Sequence, residues 1–131
     1  MSDRLIAAAT EAQRNAYAPY SKYPVGAAVE TSDGRVFAGC NVENASLGLT
    51  ICAERVAVGA AVSAGARDIK SVVVVTNSVP PAAPCGACRQ VLAEFGSEIA
   101  ILAVGPGGSR KWKISELLPD SFGPRDLESK G

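Results

Sequence analysis

The chain has 131 residues, 47% of them hydrophobic, enough to bury the core of one compact domain but short for two ordinary ones. Thirteen basic residues balance thirteen acidic ones and no run of like charge exceeds two residues, so there is no electrostatic footprint for gripping a polyanion. No apolar run approaches the ~18 residues of a membrane span, and the amino terminus lacks a secretory h-region, which points to the cytosol.

Asp3 to Tyr17 carries Leu5, Ile6, Ala9, Ala12 and Ala16 at helical spacing, with Ser2 or Asp3 available as a cap. Pro19 and Pro24 then break the pattern in a loop that holds all three tyrosines of the chain, Tyr17, Tyr20 and Tyr23. Residues 25–40 read as two extended runs joined through Ser32-Asp33-Gly34, an antiparallel hairpin. A polar loop follows over 41–50. From Thr50, taken as N-cap, the pattern is helical as far as Gly65, a plausible C′ residue.

Four consecutive valines in IKSVVVVTN mark a strand buried on both faces. After a proline-rich connector, CGACRQVLAEFG reads as a helix ending at Gly96, EIAILAVG as a buried strand and PGGSRK as a turn. WKISELLP then reads as a strand edge running into a short helix stopped by Pro119. A polar tail begins near residue 124 and is expected to fray. The order predicts an α/β domain spanning the chain, a mixed sheet covered by helices on both faces.

Chemistry gathers around four cysteines, at 40, 52, 85 and 88. In a reducing compartment they are thiols or metal ligands before they are disulfides. Cys85 and Cys88 have the C-x-x-C spacing that closes on one ion, although a redox pair or half of a structural zinc site shares it. Cys40 and Cys52 could complete a closed structural site; alternatively Cys40 is a small buried core residue. Cys52, Cys85 and Cys88 all fall at predicted helix starts, where the dipole favours thiolates.

Three thiolates on Zn²⁺ leave a net negative shell, which two helix N-termini and Arg55 can offset; the plain reading of Arg55 is a solvated helix face. Glu54, two residues after Cys52 in an apolar run, is costly there without a task. A three-ligand site keeps a position for water and needs a group to move protons. There is no histidine, so that work falls to a carboxylate. Hydrolytic loss of ammonia from an amino-heterocycle fits the set.

CAER followed by PCGACRQ, with Cys85 33 residues after Cys52, is similar to the pattern of the zinc nucleoside and nucleobase deaminases, whose glutamate is not a zinc ligand. With AYAPYSKYPVGAAV, GCNVENAS, LTICAERVAV and ELLPDSFGPRDL in the same order, the chain resembles the small, three-cysteine cytidine deaminases almost end to end. The resemblance implies a three-layer α/β/α subunit with a mixed five-stranded sheet. It also implies one Zn²⁺ per subunit on Cys52, Cys85 and Cys88, and a homotetramer with shared active sites.

By the same resemblance, Glu54 shuttles protons and Arg55 hydrogen-bonds the cysteine sulfurs. Asn41 and Glu43 hold the ribose 3′-hydroxyl, and Tyr23 and Ala53 contact the substrate. Ala45 and Phe122 reach it from neighbouring subunits. The implied reaction converts cytidine and 2′-deoxycytidine to uridine and 2′-deoxyuridine in pyrimidine salvage, with a free nucleoside rather than nucleic acid as partner. Two positions depart from the family pattern. Tyr23 replaces a common phenylalanine and adds a hydroxyl that needs a partner. Leu47 replaces a common tyrosine that reaches the 5′-hydroxyl, which leaves open another aminopyrimidine nucleoside or an antibiotic such as blasticidin S. From a different class, a non-catalytic zinc-stabilised interaction domain would use Cys40 as fourth ligand.

Overall fold

The computed structural model describes residues 3–128, so Ser2 as a possible cap lies outside the described residues. Helix α1 (Asp3–Gln13) is shorter than its periodicity predicts. Residues 14–16 unwind because Tyr17 is drawn into extended pairing, its N–H donating to Asn41 O (3.0 Å) while its carbonyl accepts from Glu43 N (2.9 Å). The predicted hairpin is β1 (Gly26–Thr31) and β2 (Val36–Cys40), antiparallel, with Gly34 at φ 87° in the turn, where a Cβ would be strained.

The 41–50 segment is more structured than a plain loop: Val42 and Ile51 exchange backbone hydrogen bonds of 2.9 Å, and Leu47–Leu49 forms one 3₁₀ turn. That pairing keeps the chain extended through Ile51, so α2 (Ala53–Ser63) starts later than predicted, with Cys52 rather than Thr50 as N-cap. Its other end is as read. Gly65 has φ 93°, and the bonds Gly65 N to Val62 O and Ala66 N to Ala61 O close a Schellman motif.

Strands β3 (Ile69–Val75) and β4 (Ala100–Gly105) are parallel, joined through α3 (Gly86–Ala93). The PGGSRK turn is confined to its start. Gly108–Lys113 is a full strand, β5, paired antiparallel with β4 along its length, and its Arg110, Lys111 and Lys113 protect a sheet edge. A short α4 (Ile114–Leu117) and a 3₁₀ turn at Pro124–Leu127, where fraying was predicted, finish the described chain.

The five strands run β2-β1-β3-β4-β5, a mixed sheet between two helical layers. Alternation along the strands serves both. Ala27, Val29, Val72, Val74 and Ile101 pack toward α2 and α3, while Ala28, Val73, Val75 and Leu102 pack with Leu5 and Ala9 of α1. The valine run is thus buried on both faces, each side chain contributing about 1.5–3 kcal/mol by leaving water. Gly39 lets β2 meet α2: a Cβ there would lie 2.6 Å from Ala57 N. Among the described residues, no helix is long and apolar enough to cross a membrane.

Candidate active site

The N-termini of α2 and α3 converge beyond the carboxyl end of β3, on a cleft of about 400 Å³. Cys52 is the N-cap of α2, and Cys85 that of α3 with Cys88 in its first turn. Their three Sγ atoms lie within 4.8 Å of one another, and Cys52 Sγ is 3.7 Å from Cys85 Sγ. That is far beyond a disulfide bond, and the third thiol beside the C-x-x-C pair makes a three-ligand metal group of it. It matches the edge of a tetrahedron with zinc–sulfur bonds of about 2.3 Å. Cys40 is outside the cluster; it is half-buried rather than a core residue, in a separate hollow between α1 and β2.

The local charge suits a thiolate at Cys52. Hydrogen bonding from Cys88, with help from Arg55 and Cys85, lowers the Cys52 thiol to about 5, and the same coupling pushes Cys88 up. The unpaired N–H groups at the starts of both helices put positive potential beside the sulfurs. Arg55 is half-buried, and its Nη2 donates to Thr50 O (3.1 Å) and to Cys52 Sγ (3.9 Å). Its Nε is a buried donor without a hydrogen-bond partner, an arrangement suited to a site that carries excess negative charge. The donor set fits zinc.

Glu54, at 4% exposure, lines the same cleft, and burial raises its carboxyl to about 7. A group poised there both accepts and returns protons near neutral pH. Ala53, fully buried, adds the first residue of α2 to the wall.

The opposite wall is the tyrosine loop, folded around two side chains from the stretch after β2. Asn41 Nδ2 donates to Tyr23 O (2.9 Å) and its Oδ1 accepts from Val25 N (2.9 Å). Glu43 Oε1 accepts from Tyr20 N (2.9 Å) and Ser21 N (3.1 Å), and Oε2 accepts a short bond from Ser21 Oγ. Those bonds, Ser21's hydroxyl foremost, hold the Glu43 carboxyl below its ordinary range. Asn41, Glu43 and Tyr23 all face the cleft. The Tyr23 hydroxyl finds its partner in Ser78 Oγ.

Ala45 and Phe122 do not line this cleft; both are exposed, Phe122 at 59%, with its carbonyl held by Gln90 Nε2 (2.8 Å). Sequence reasoning missed Ser21 and Ser78. The need of the Tyr23 hydroxyl for a partner was a signal, but nothing in the sequence pointed to Ser78. It also missed Arg89, whose guanidinium ties Pro84 O (2.8 Å), just before Cys85, to Leu117 O (2.9 Å).

The model of the cytidine and deoxycytidylate deaminase zinc-binding region matches residues 1–104. A cytidine deaminase of Sporosarcina psychrophila is 46% identical over 127 residues, covering 95% of this chain and 93% of that protein. The crystal structure of cytidine deaminase from Burkholderia pseudomallei superposes with a TM-score of 0.89 at 48% identity, over 93% of this chain and all of that one. A blasticidin-S deaminase of Bacillus cereus is more distant, 32% identical over 107 residues and 76% of each chain. With likeness of that extent joined to a three-thiol cluster and a buried glutamate beside it, the chain belongs to the cytidine and deoxycytidylate deaminase family.

Proposed function

We propose that the chain is a single-domain hydrolase converting cytidine and 2′-deoxycytidine, with water, to uridine and 2′-deoxyuridine plus ammonia, in pyrimidine salvage in the cytoplasm. The observation that carries this reading is Glu54: a carboxyl buried two residues from one thiol of the cluster, facing a cleft sized for a small molecule. A Zn²⁺ ion held by Cys52, Cys85 and Cys88 would supply the Lewis acidity that makes water nucleophilic at neutral pH. Glu54 Oε takes one proton from the attacking water and passes it to the ring nitrogen, then takes the second from the new C–OH and gives it to the amino group, so the C–N bond breaks, ammonia leaves and a carbonyl forms. Its raised proton affinity lets one group serve as base and acid in turn.

The other residues bind. Arg55 and the two helix starts neutralise the thiolate charge. Asn41 and Glu43 present an amide and an ionised acceptor to the ribose 3′-hydroxyl, both already pinned by the tyrosine loop. Tyr23 packs on the base and Ala53 contacts it from the floor. Phe122 and Ala45 act in the cleft of a neighbouring subunit within a homotetramer. That assignment draws support from their absence from the cleft of their own chain, and from the exposed apolar set Val42, Leu47, Leu49 and Ile51.

The zinc-loaded protein is incubated with cytidine, 2′-deoxycytidine, other aminopyrimidine nucleosides and blasticidin S, following ultraviolet absorbance and ammonia. Cytidine and 2′-deoxycytidine should both turn over. Turnover of blasticidin S alone would move the reading to the antibiotic. No turnover of any compound, with a Glu54→Gln variant indistinguishable from the parent, would leave a zinc-stabilised interaction domain, a reading already weakened because Cys40 is outside the thiol cluster.

A further inference from the structure

We propose that Ser78 is a positioning residue: through the Tyr23 hydroxyl it fixes the tilt of the ring against which the base packs. The inference rests on the nucleoside reading above. The two walls that meet at this end of the cleft come from distant parts of the chain, the tyrosine loop and the connector after β3, and the Tyr23–Ser78 hydrogen bond joins them across 55 residues of sequence.

Among the described residues, the other hydrogen bonds of Tyr23 are made by its backbone. Its N–H donates to Ser21 Oγ (3.1 Å), and its carbonyl accepts from Asn41 Nδ2 (2.9 Å). Those bonds place Cα, but they leave both side-chain torsions free in a residue 39% exposed. The hydroxyl bond supplies the missing constraint. Ser78 can anchor it because its own N–H donates to Oγ1 of the buried Thr76 (3.2 Å).

The loop and the connector have a second, independent link: Gln13 Nε2 donates to Pro24 O (3.1 Å) and to Asn77 Oδ1 (3.2 Å). Removing the Ser78 hydroxyl therefore leaves the walls in place and frees the ring alone. The loss falls on binding, because orienting a preformed surface saves ordering cost when the ligand arrives.

The test is a double-mutant cycle on the zinc-loaded enzyme with cytidine. Ser78→Ala should raise KM about 3- to 10-fold, the worth of one net hydrogen bond, with kcat changed less than about twofold. Ser78→Thr, which keeps the hydroxyl, should restore KM. Tyr23→Phe should raise KM alone but add nothing in the Ser78→Ala background. A readout independent of turnover is the ¹³Cζ resonance of labelled tyrosine, where the Tyr23 signal should move in Ser78→Ala and return in Ser78→Thr. An unchanged KM, a fall in kcat at constant KM, fully additive effects, or an unmoved Tyr23 resonance would each overturn the proposal. Failure of the wild-type protein to convert any nucleoside would instead remove the functional reading, while the resonance still decides whether the clasp exists.

Discussion

Glu54 and Glu43 line one cleft and are almost equally hidden, at 4% and 8% exposure, yet their proton affinities move in opposite directions. Burial raises Glu54 to about 7, whereas three donors from Tyr20 and Ser21 hold Glu43 ionised. Burial alone does not set a carboxyl's role; the donors that meet it do. On the proposed reading, one half of the cleft moves protons and the other holds a fixed negative acceptor.

The contrast breaks most visibly at Glu54. Glu54→Gln keeps shape and hydrogen-bonding capacity but cannot exchange a proton, so kcat/KM should fall about 10²- to 10⁴-fold while bound zinc, measured by elemental analysis, stays the same. A loss of metal in parallel with activity would make Glu54 a structural group. Glu43→Ala should instead act on binding, raising KM about 10- to 100-fold, as expected for hydrogen bonds to a charged acceptor. Ser21→Ala, which removes one of the donors and leaves the carboxylate, should give a smaller rise of the same kind.

Stability should carry the same opposition. Glu54 has a folded-state pKa above its ordinary 4.5, so the native state binds the extra proton between about 4.5 and 7. The Glu54 contribution to the stability of the metal-free protein therefore falls as pH rises through that window and levels off above it; the lowered Cys52 thiol adds an opposite slope above about 5, so the Glu54 share is read as the difference between wild type and Glu54→Gln. Glu43 is shifted below 4.5, so its stabilising contribution is complete above that value and is lost as pH falls through the lowered one. Thermal melts of the metal-free wild type, Glu54→Gln and Glu43→Gln between pH 3 and 8 (about one unit apart) read both slopes. A shared sign would mean the two environments do not differ as described.

That the three thiols, Glu54 and Arg55 gather at one place was legible in the sequence because the grouping is local. Cys52, Glu54 and Arg55 fall within four residues, and Cys85 and Cys88 within another four. The strands were legible for a similar reason, since a run of valines between turn residues has few alternatives. What escaped were long-range ties. The Val42–Ile51 pairing that delays α2 competes with a good N-cap at Thr50, and local propensity has no view of it. Ser21 and Ser78 are ordinary loop serines until the fold brings them to residues 22 and 55 positions away. Strand β5, all glycine, serine and basic side chains apart from Trp112, owes its existence to β4 beside it rather than to its own pattern.

The smallest predicted effect concerns where the binding half ends. Leu47 is 72% exposed in the 3₁₀ turn, outside the cleft of its own chain, and cannot offer the hydroxyl that the resemblance puts at the ligand's 5′ end. If the binding half extends across a subunit boundary, the wild type should discriminate only weakly between cytidine and its 5′-deoxy analogue. Leu47→Tyr should widen the ratio of their kcat/KM values about 2- to 10-fold, the range of one net hydrogen bond, without altering zinc content. An unchanged ratio in the variant, or a large loss with the analogue in the wild type, would confine recognition to groups within the single-chain cleft. Glu43 and Asn41 would then mark the full extent of the half that the fixed negative charge defines.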